Sequence, residues 1–234
     1  MLTKFLQMAA RPKITLYVDT VSPFAYAAYH ILRNDPLFRN VEVEYIPIFL
    51  GGLMHKCGNT APIKIKNKDK WINLERLRWA QHFSIPMISP GLPPDFPAPS
   101  LPIMRCLASL SSTAQLTSAL DLLFKKHWAD GVATHKPEIL QQTLVELFGE
   151  EEAGKILERS KAEGKEALIK NTDRAFDEGA FGLPWFSATN ARGEREGFWG
   201  VDHMGQLLRF LGLEGELQTA RGKGNGNQGW RAVL

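Results

Sequence analysis

Ile14-Thr15-Leu16-Tyr17-Val18-Asp19-Thr20-Val21-Ser22-Pro23-Phe24 runs through β-forming apolar residues, stops at an acid, turns, and restarts with a serine and a proline. The first five residues predict a buried strand. Ser22 fits a helix N-cap and Pro23 the first helical position, where its missing N–H costs nothing. Phe24, Ala27, Ala28, Ile31 and Leu32 then recur at helical spacing. Asn34-Asp35-Pro36 ends that helix, and Val41-Glu42-Val43-Glu44-Tyr45-Ile46 alternates as a second strand. A strand, a helix and a strand in so short a span make a βαβ unit, which implies a parallel pair.

Beyond Pro47 the pattern changes. Gly51-Gly52 and Gly58-Asn59 read as loops. Four apolar stripes follow at helical spacing: Trp71, Leu74, Leu77 and Ala80; Met104, Leu107 and Leu110; Leu116, Leu120, Leu123 and Phe124; Ile139, Leu140, Leu144 and Leu147. Helix continues to about Glu178. Strand signals return at Trp185-Phe186-Ser187-Ala188-Thr189, a turn over Asn190 to Gly193 and a return strand ending at Phe198-Trp199. Asp202 is expected to cap a last helix through Leu207, Leu208 and Leu211. The order β-α-β, helical block, β-β-α predicts an α/β fold: a discontinuous thioredoxin-like domain over 1–57 and 179–221, an inserted all-helical domain over 58–178, and a flexible tail over 222–234, where glycine alternates with polar residues.

The 234 residues are 44% hydrophobic and 23% charged with a net charge of +3, ordinary globular composition. Basic and acidic residues are interspersed, so nucleic acid is not expected as a partner. No apolar run approaches the ~20 residues of a membrane span. Two cysteines, Cys57 and Cys106, form neither a CxxC pair nor a metal spacing, and the six histidines form no ligand cluster. No metal is expected, and lone thiols point to a reducing, intracellular compartment. A mitochondrial presequence would be richer in arginine and longer than the stretch holding Lys4, Arg11 and Lys13. Ala232-Val233-Leu234 is not a Ser-Lys-Leu signal. Cytoplasm, mitochondrion and peroxisome stay open.

Four places can carry chemistry. Ser22-Pro23-Phe24 opens a helix whose N-terminal N–H groups and dipole stabilise a thiolate. Ser22 stands where a disulfide oxidoreductase has its first cysteine, and Ala25 where it has the second, so any thiolate there comes with a ligand. Gly179-Ala180-Phe181-Gly182-Leu183-Pro184 precedes a strand, where a thioredoxin-type sheet has a cis-proline. The Leu183 backbone is then free to pair with an extended peptide. Gly200-Val201-Asp202-His203 sits at a strand-to-helix turn. It reads as a plain cap or as a zwitterion site, with Val201 and Asp202 N–H groups on a carboxylate and the Asp202 carboxylate on an ammonium. Cys57-Gly58-Asn59-Thr60 is a common turn, and neither an Asn59 contact nor a Lys68 contact to a ligand follows from local sequence.

Val18-Asp19-Thr20-Val21-Ser22-Pro23-Phe24, the Gly58-Asn59 turn, Gly179 to Pro184 and Gly200-Val201-Asp202-His203-Met204 occur in an order that resembles the kappa-class glutathione transferases. That family includes the 2-hydroxychromene-2-carboxylate isomerases and is related to DsbA-like oxidoreductases. The resemblance runs from about Ile14 to Leu213. It implies that glutathione is the thiol substrate, that Ser22 hydrogen-bonds its sulfur, and that Pro23, Phe24, Asn59, Lys68, Leu183 and Pro184 line its site. Val201 and Asp202 would hold the γ-glutamyl end. It also implies a homodimer and a hydrophobic electrophile as second substrate, or else an isomerase of aromatic-degradation intermediates. A degenerate peptide-binding module is the non-enzymatic alternative. The chain departs from the family with Val201 where serine is usual and His203 where arginine is usual.

Overall fold

A computed structural model describes residues 10–215 and Trp230. The sheet has four strands, β1 (Lys13–Val18), β2 (Glu42–Pro47), β3 (Trp185–Thr189) and β4 (Arg195–Trp199), in the spatial order β2-β1-β3-β4. β1 and β2 run parallel, and the other two neighbouring pairs are antiparallel. The strand period of two sends Ile14, Leu16 and Val18 into the larger core with Phe186 and Phe198, while Tyr17 joins Trp185 and Ile46 on the opposite face. Helix α1 (Pro23–Asn34) joins β1 to β2, as the sequence predicts. The β3–β4 turn is built by Asn190, whose Oδ1 accepts from the N–H groups of Arg192 at 2.9 Å and Glu194 at 3.1 Å.

Between β2 and β3 the chain is helical: α2 (Leu50–Lys56), α3 (Lys68–Phe83), α4 (Leu101–Ala108), α5 (Thr113–Phe124), a π turn over Lys125–Ala129, α6 (Pro137–Arg159), kinked at Gly149, and α7 (Glu163–Asp177). α7 packs on α4 and returns against α2. The last helix, α8 (Met204–Leu211), lays Leu207, Leu208 and Leu211 into the larger core. No helix among the described residues is long and apolar enough to cross a membrane.

Four expectations change. Gly51 and Gly52 are not a loop but lie inside α2, where a Cβ on Gly51 would come 2.9 Å from the Phe49 ring. The glycines admit that ring against the helix. The stripe Trp71-Leu74-Leu77-Ala80 is not the buried face of α3: Ile72, Arg76, Trp79 and Ala80 are buried, and Trp71 and Leu74 face outward. Arg76 displaces the pattern because its guanidinium donates to Asn73 Oδ1, Ile88 O and Gly91 O, which keeps a charged group inside. Asp202 caps no helix: it lies in a 3₁₀ turn, Val201–His203, ahead of α8. The tail over 222–234 lies outside the described residues except at Trp230, which differs from the expectation. Its indole is fully buried, donates to Asp35 Oδ2 at 2.7 Å and packs on Phe38 and Phe83.

Candidate functional site

Strand register decides what meets at one end of the sheet. Val18 pairs with Pro47, Tyr17 with Trp185, and Trp185 with Trp199. The segment leaving β1 (Asp19 to Ser22), the start of α2, Leu183-Pro184 entering β3 and Gly200-Val201-Asp202 leaving β4 therefore converge there.

Ser22 is almost wholly buried and holds φ −90°, ψ 116°, an extended backbone at the N-cap of α1. Its Oγ accepts from Ala25 N at 3.1 Å, and its carbonyl accepts from Tyr26 N. Pro23 has no N–H. The Phe24 N–H is thus the one donor in the first turn that carries no hydrogen bond among the described residues. The Ser22 hydroxyl spends a lone pair on the cap and keeps its proton to donate. Two donors thus stand at the positive end of a helix dipole, where negative charge is favoured.

Leu183–Pro184 is cis, as expected from the sheet context. The Pro184 carbonyl accepts from Gly200 N at 3.1 Å, so the proline loop and the β4 turn are fastened together. Leu183 packs beside Ala25 and Tyr17, and its own N–H and C=O carry no hydrogen bond among the described residues. Beyond the C-cap of α7 at Glu178, Gly179 turns the chain with a φ of +92° that suits glycine. Asn59, exposed, donates from Nδ2 to Phe181 O at 2.8 Å and accepts from Thr60 N at 2.8 Å; Cys57 Sγ reaches Ala180 O at 3.4 Å. The Cys57–Thr60 turn thereby clamps the proline loop from behind.

Gly200 adopts φ +91°, and a Cβ there would lie 2.2 Å from Asp202 Oδ1. The turn leaves the Val201 and Asp202 N–H groups without a hydrogen-bond partner among the described residues. Val201 is buried, whereas the Asp202 carboxylate is exposed and stands 3.4 Å from His203 Nδ1. Lys68 begins α3, is exposed, and makes no hydrogen bond or ion pair to Ser22, Leu183 or Val201 among the described residues.

Sequence reasoning passed over the residues beneath Ser22. Asp19 is fully buried and accepts from Val21 N at 3.1 Å, Leu50 N at 2.9 Å and Ser100 Oγ at 3.0 Å. Burial pushes its carboxyl up to about 6 against the restraint of those three donors. The Trp128 indole donates to Thr20 O at 2.9 Å. The signal for Asp19 was present: an acid directly continuing a buried apolar strand needs internal donors. Nothing local marks Ser100 or Trp128, which arrive from the helical block.

The model for the DSBA-like thioredoxin domain matches residues 13–212. The chain belongs to this family. It is 24% identical over 211 residues to glutathione S-transferase kappa 1 of Caenorhabditis elegans, covering 87% of this chain and 92% of that protein. It is 27% identical over 206 residues to the 2-hydroxychromene-2-carboxylate isomerase of Pseudomonas sp. (strain C18), covering 85% and 90%. Among solved structures, a 2-hydroxychromene-2-carboxylate isomerase superposes with a TM-score of 0.73 at 22% identity, covering 89% of this chain and 98% of that one. The helix terminus of this chain carries Ser22 and Ala25 in place of a dithiol, and Cys57 and Cys106 are free thiols.

Proposed function

We propose that this protein is a glutathione-dependent enzyme of kappa type that transfers the tripeptide thiol to a hydrophobic electrophile. The observation that carries the reading is the pair of open donors, Ser22 O–H and Phe24 N–H, at a helix terminus on the same sheet end as the unpaired Leu183 backbone. In this reading glutathione lies extended along Leu183, which pairs with its backbone. The Val201 and Asp202 N–H groups take the γ-glutamyl carboxylate, and the Asp202 carboxylate takes the ammonium. Pro23 and Phe24 flank the sulfur, while Asn59 acts by holding the Phe181 carbonyl and with it the loop.

The chemistry follows. A free thiol titrates near ~8.5, and a helix N-terminus lowers that value. The thiol releases its proton to solvent, and Ser22 and Phe24 donate to the sulfur anion. The thiolate then forms a C–S bond at the electrophilic carbon as the leaving group departs with its electron pair. The nucleophile belongs to the substrate, so the protein's task is thiolate stabilisation and orientation.

The test is the rate with glutathione and a chloronitrobenzene in the native protein and in Ser22→Ala. Loss of a hydrogen bond to a charged sulfur, about 1.5–3 kcal/mol, lowers kcat/KM by about tenfold to a hundredfold and raises the apparent thiol pKa in the pH–rate profile. Equal rates remove Ser22 from the mechanism. Calorimetry showing no glutathione binding at millimolar ligand would leave the peptide-binding module as the better reading. The 27% identity to an isomerase supports a second reading, in which the same thiolate adds to a conjugated double bond and leaves again. Turnover of 2-hydroxychromene-2-carboxylate without net thiol consumption separates it from transfer.

A further inference from the structure

Lys68 apart, the outward side of α3 and the turn before it carry a feature that the proposed glutathione chemistry does not use. Residues 64–74, Lys64-Ile65-Lys66-Asn67-Lys68-Asp69-Lys70-Trp71-Ile72-Asn73-Leu74, hold four lysines against one aspartate. That surplus equals the +3 net charge of the entire chain, so the remainder is electrically balanced. Every residue from Lys64 to Trp71 is exposed. Lys56, Lys125 and Lys126 each hold a carboxylate within 2.6 Å; Lys64, Lys66, Lys68 and Lys70 make no ion pair among the described residues.

Three large apolar side chains stand among these charges. Ile65 is 41% exposed, Trp71 51% and Leu74 47%. Lys70 and Leu74, and Trp71 and Leu74, are neighbours on one face of α3. The opposite face is spent on the core through Ile72, Arg76, Trp79 and Ala80.

We propose that residues 64–74 dock the protein on the surface of an anionic lipid bilayer. An indole flanked by aliphatic side chains settles at headgroup depth, and lysines run their stems along apolar surface while their ammonium groups meet lipid phosphates. Each basic residue near such a surface adds an electrostatic increment that salt screens. A protein partner is the poorer match, because lysine is depleted in the cores of protein interfaces. The inference is independent of the glutathione reading and leaves Lys68 untouched in its test.

The full chain is mixed with vesicles of phosphatidylcholine alone or with phosphatidylglycerol added, and the bound fraction is measured by sedimentation. Binding to the anionic vesicles only, released by raised salt, is expected. The combined change Lys64→Glu, Lys66→Glu, Lys70→Glu weakens that binding about a hundredfold, and Trp71→Ser alone weakens it about tenfold. These positions are exposed, so unchanged circular dichroism is expected; were the triple variant to unfold, Trp71→Ser and the salt series decide the matter. No binding to anionic vesicles, or binding indifferent to these changes, overturns the proposal. Self-association that Trp71→Ser abolishes, without vesicle binding, also overturns it and assigns the face to a second copy of this chain.

Discussion

The carboxylate of Asp19 accepts the N–H of Leu50 at 2.9 Å, so the acid that follows β1 satisfies the first turn of α2. The same Oδ2 takes the Ser100 hydroxyl, and Oδ1 holds Val21 N. One buried anion thus fixes the approach to Ser22, the start of α2 and the start of α4 relative to one another. It also places a negative charge near a helix N-terminus, where the dipole favours it.

Asp19 makes stability depend on pH in a defined window. Burial raises its folded value to about 6 from an ordinary 3.8. Between these values the folded state holds a proton that the unfolded chain has released. The contribution is therefore fully present below about pH 4 and is lost as pH rises through 6, by about 3 kcal/mol in all. In Asp19→Asn the amide oxygen faces Leu50 and Ser100, the NH₂ is turned on the Val21 N–H, and nothing titrates. Urea unfolding across pH 4 to about 7 should show the stability difference, native minus variant, falling by that amount; parallel curves would mean that Asp19 does not titrate there.

Trp128→Phe tests the brace from the helical block. The ring is fully buried, and its Nε1 is the partner of the Thr20 carbonyl. Phenylalanine keeps most of the volume but leaves that buried carbonyl unpaired, at about 1–3 kcal/mol. The urea midpoint should fall with an unchanged slope. The glutathione KM should rise as well, since Thr20 lies two residues from Ser22.

Gly200→Ala strains the turn after β4. The position holds φ +91°, and an added Cβ would meet Asp202 Oδ1 at 2.2 Å. The Asp202 carboxylate is exposed and can swing away, but the backbone conformation remains unfavourable by about 1–3 kcal/mol. The Val201 and Asp202 N–H groups should lose their alignment, so glutathione KM rises while kcat at saturation changes little. A fall in kcat with KM unchanged would place the turn at the reacting sulfur instead.

Legibility in the sequence followed the range of the interactions. β1, α1 and the β3–β4 hairpin were readable because Ser22, Pro23 and Asn190 act on their own backbone within three or four residues. That the segments holding Ser22 and Leu183 lie at the same end of the sheet follows from the pairing Tyr17↔Trp185, a long-range register that element order implies. What escaped was contact that no period encodes. Arg76, outside the expected stripe, lies on the buried face of α3 because carbonyls of Ile88 and Gly91 come to it. Asp202 is not a cap because Gly200 turns the chain into a 3₁₀ segment first. Trp230 is buried because Asp35, at the far end of α1, presents a carboxylate to its indole.

Val201→Ser examines the departure from the kappa pattern, and it should cut both ways. A serine hydroxyl beside the open N–H groups adds one hydrogen bond to the glutamyl carboxylate, about 0.5–1.5 kcal/mol. Calorimetry should then show glutathione bound several-fold tighter. Val201 is 2% exposed and packs in the larger core, so the change also removes apolar area and brings a hydroxyl into a site that valine fills, at about 1–3 kcal/mol. The thermal midpoint should fall. Bound glutathione recovers part of that loss by mass action, so the gap between variant and native melting temperatures should narrow as glutathione is added. A variant that melts lower and binds no tighter would show that the Val201 side chain faces only the core and that the backbone donors alone meet the ligand.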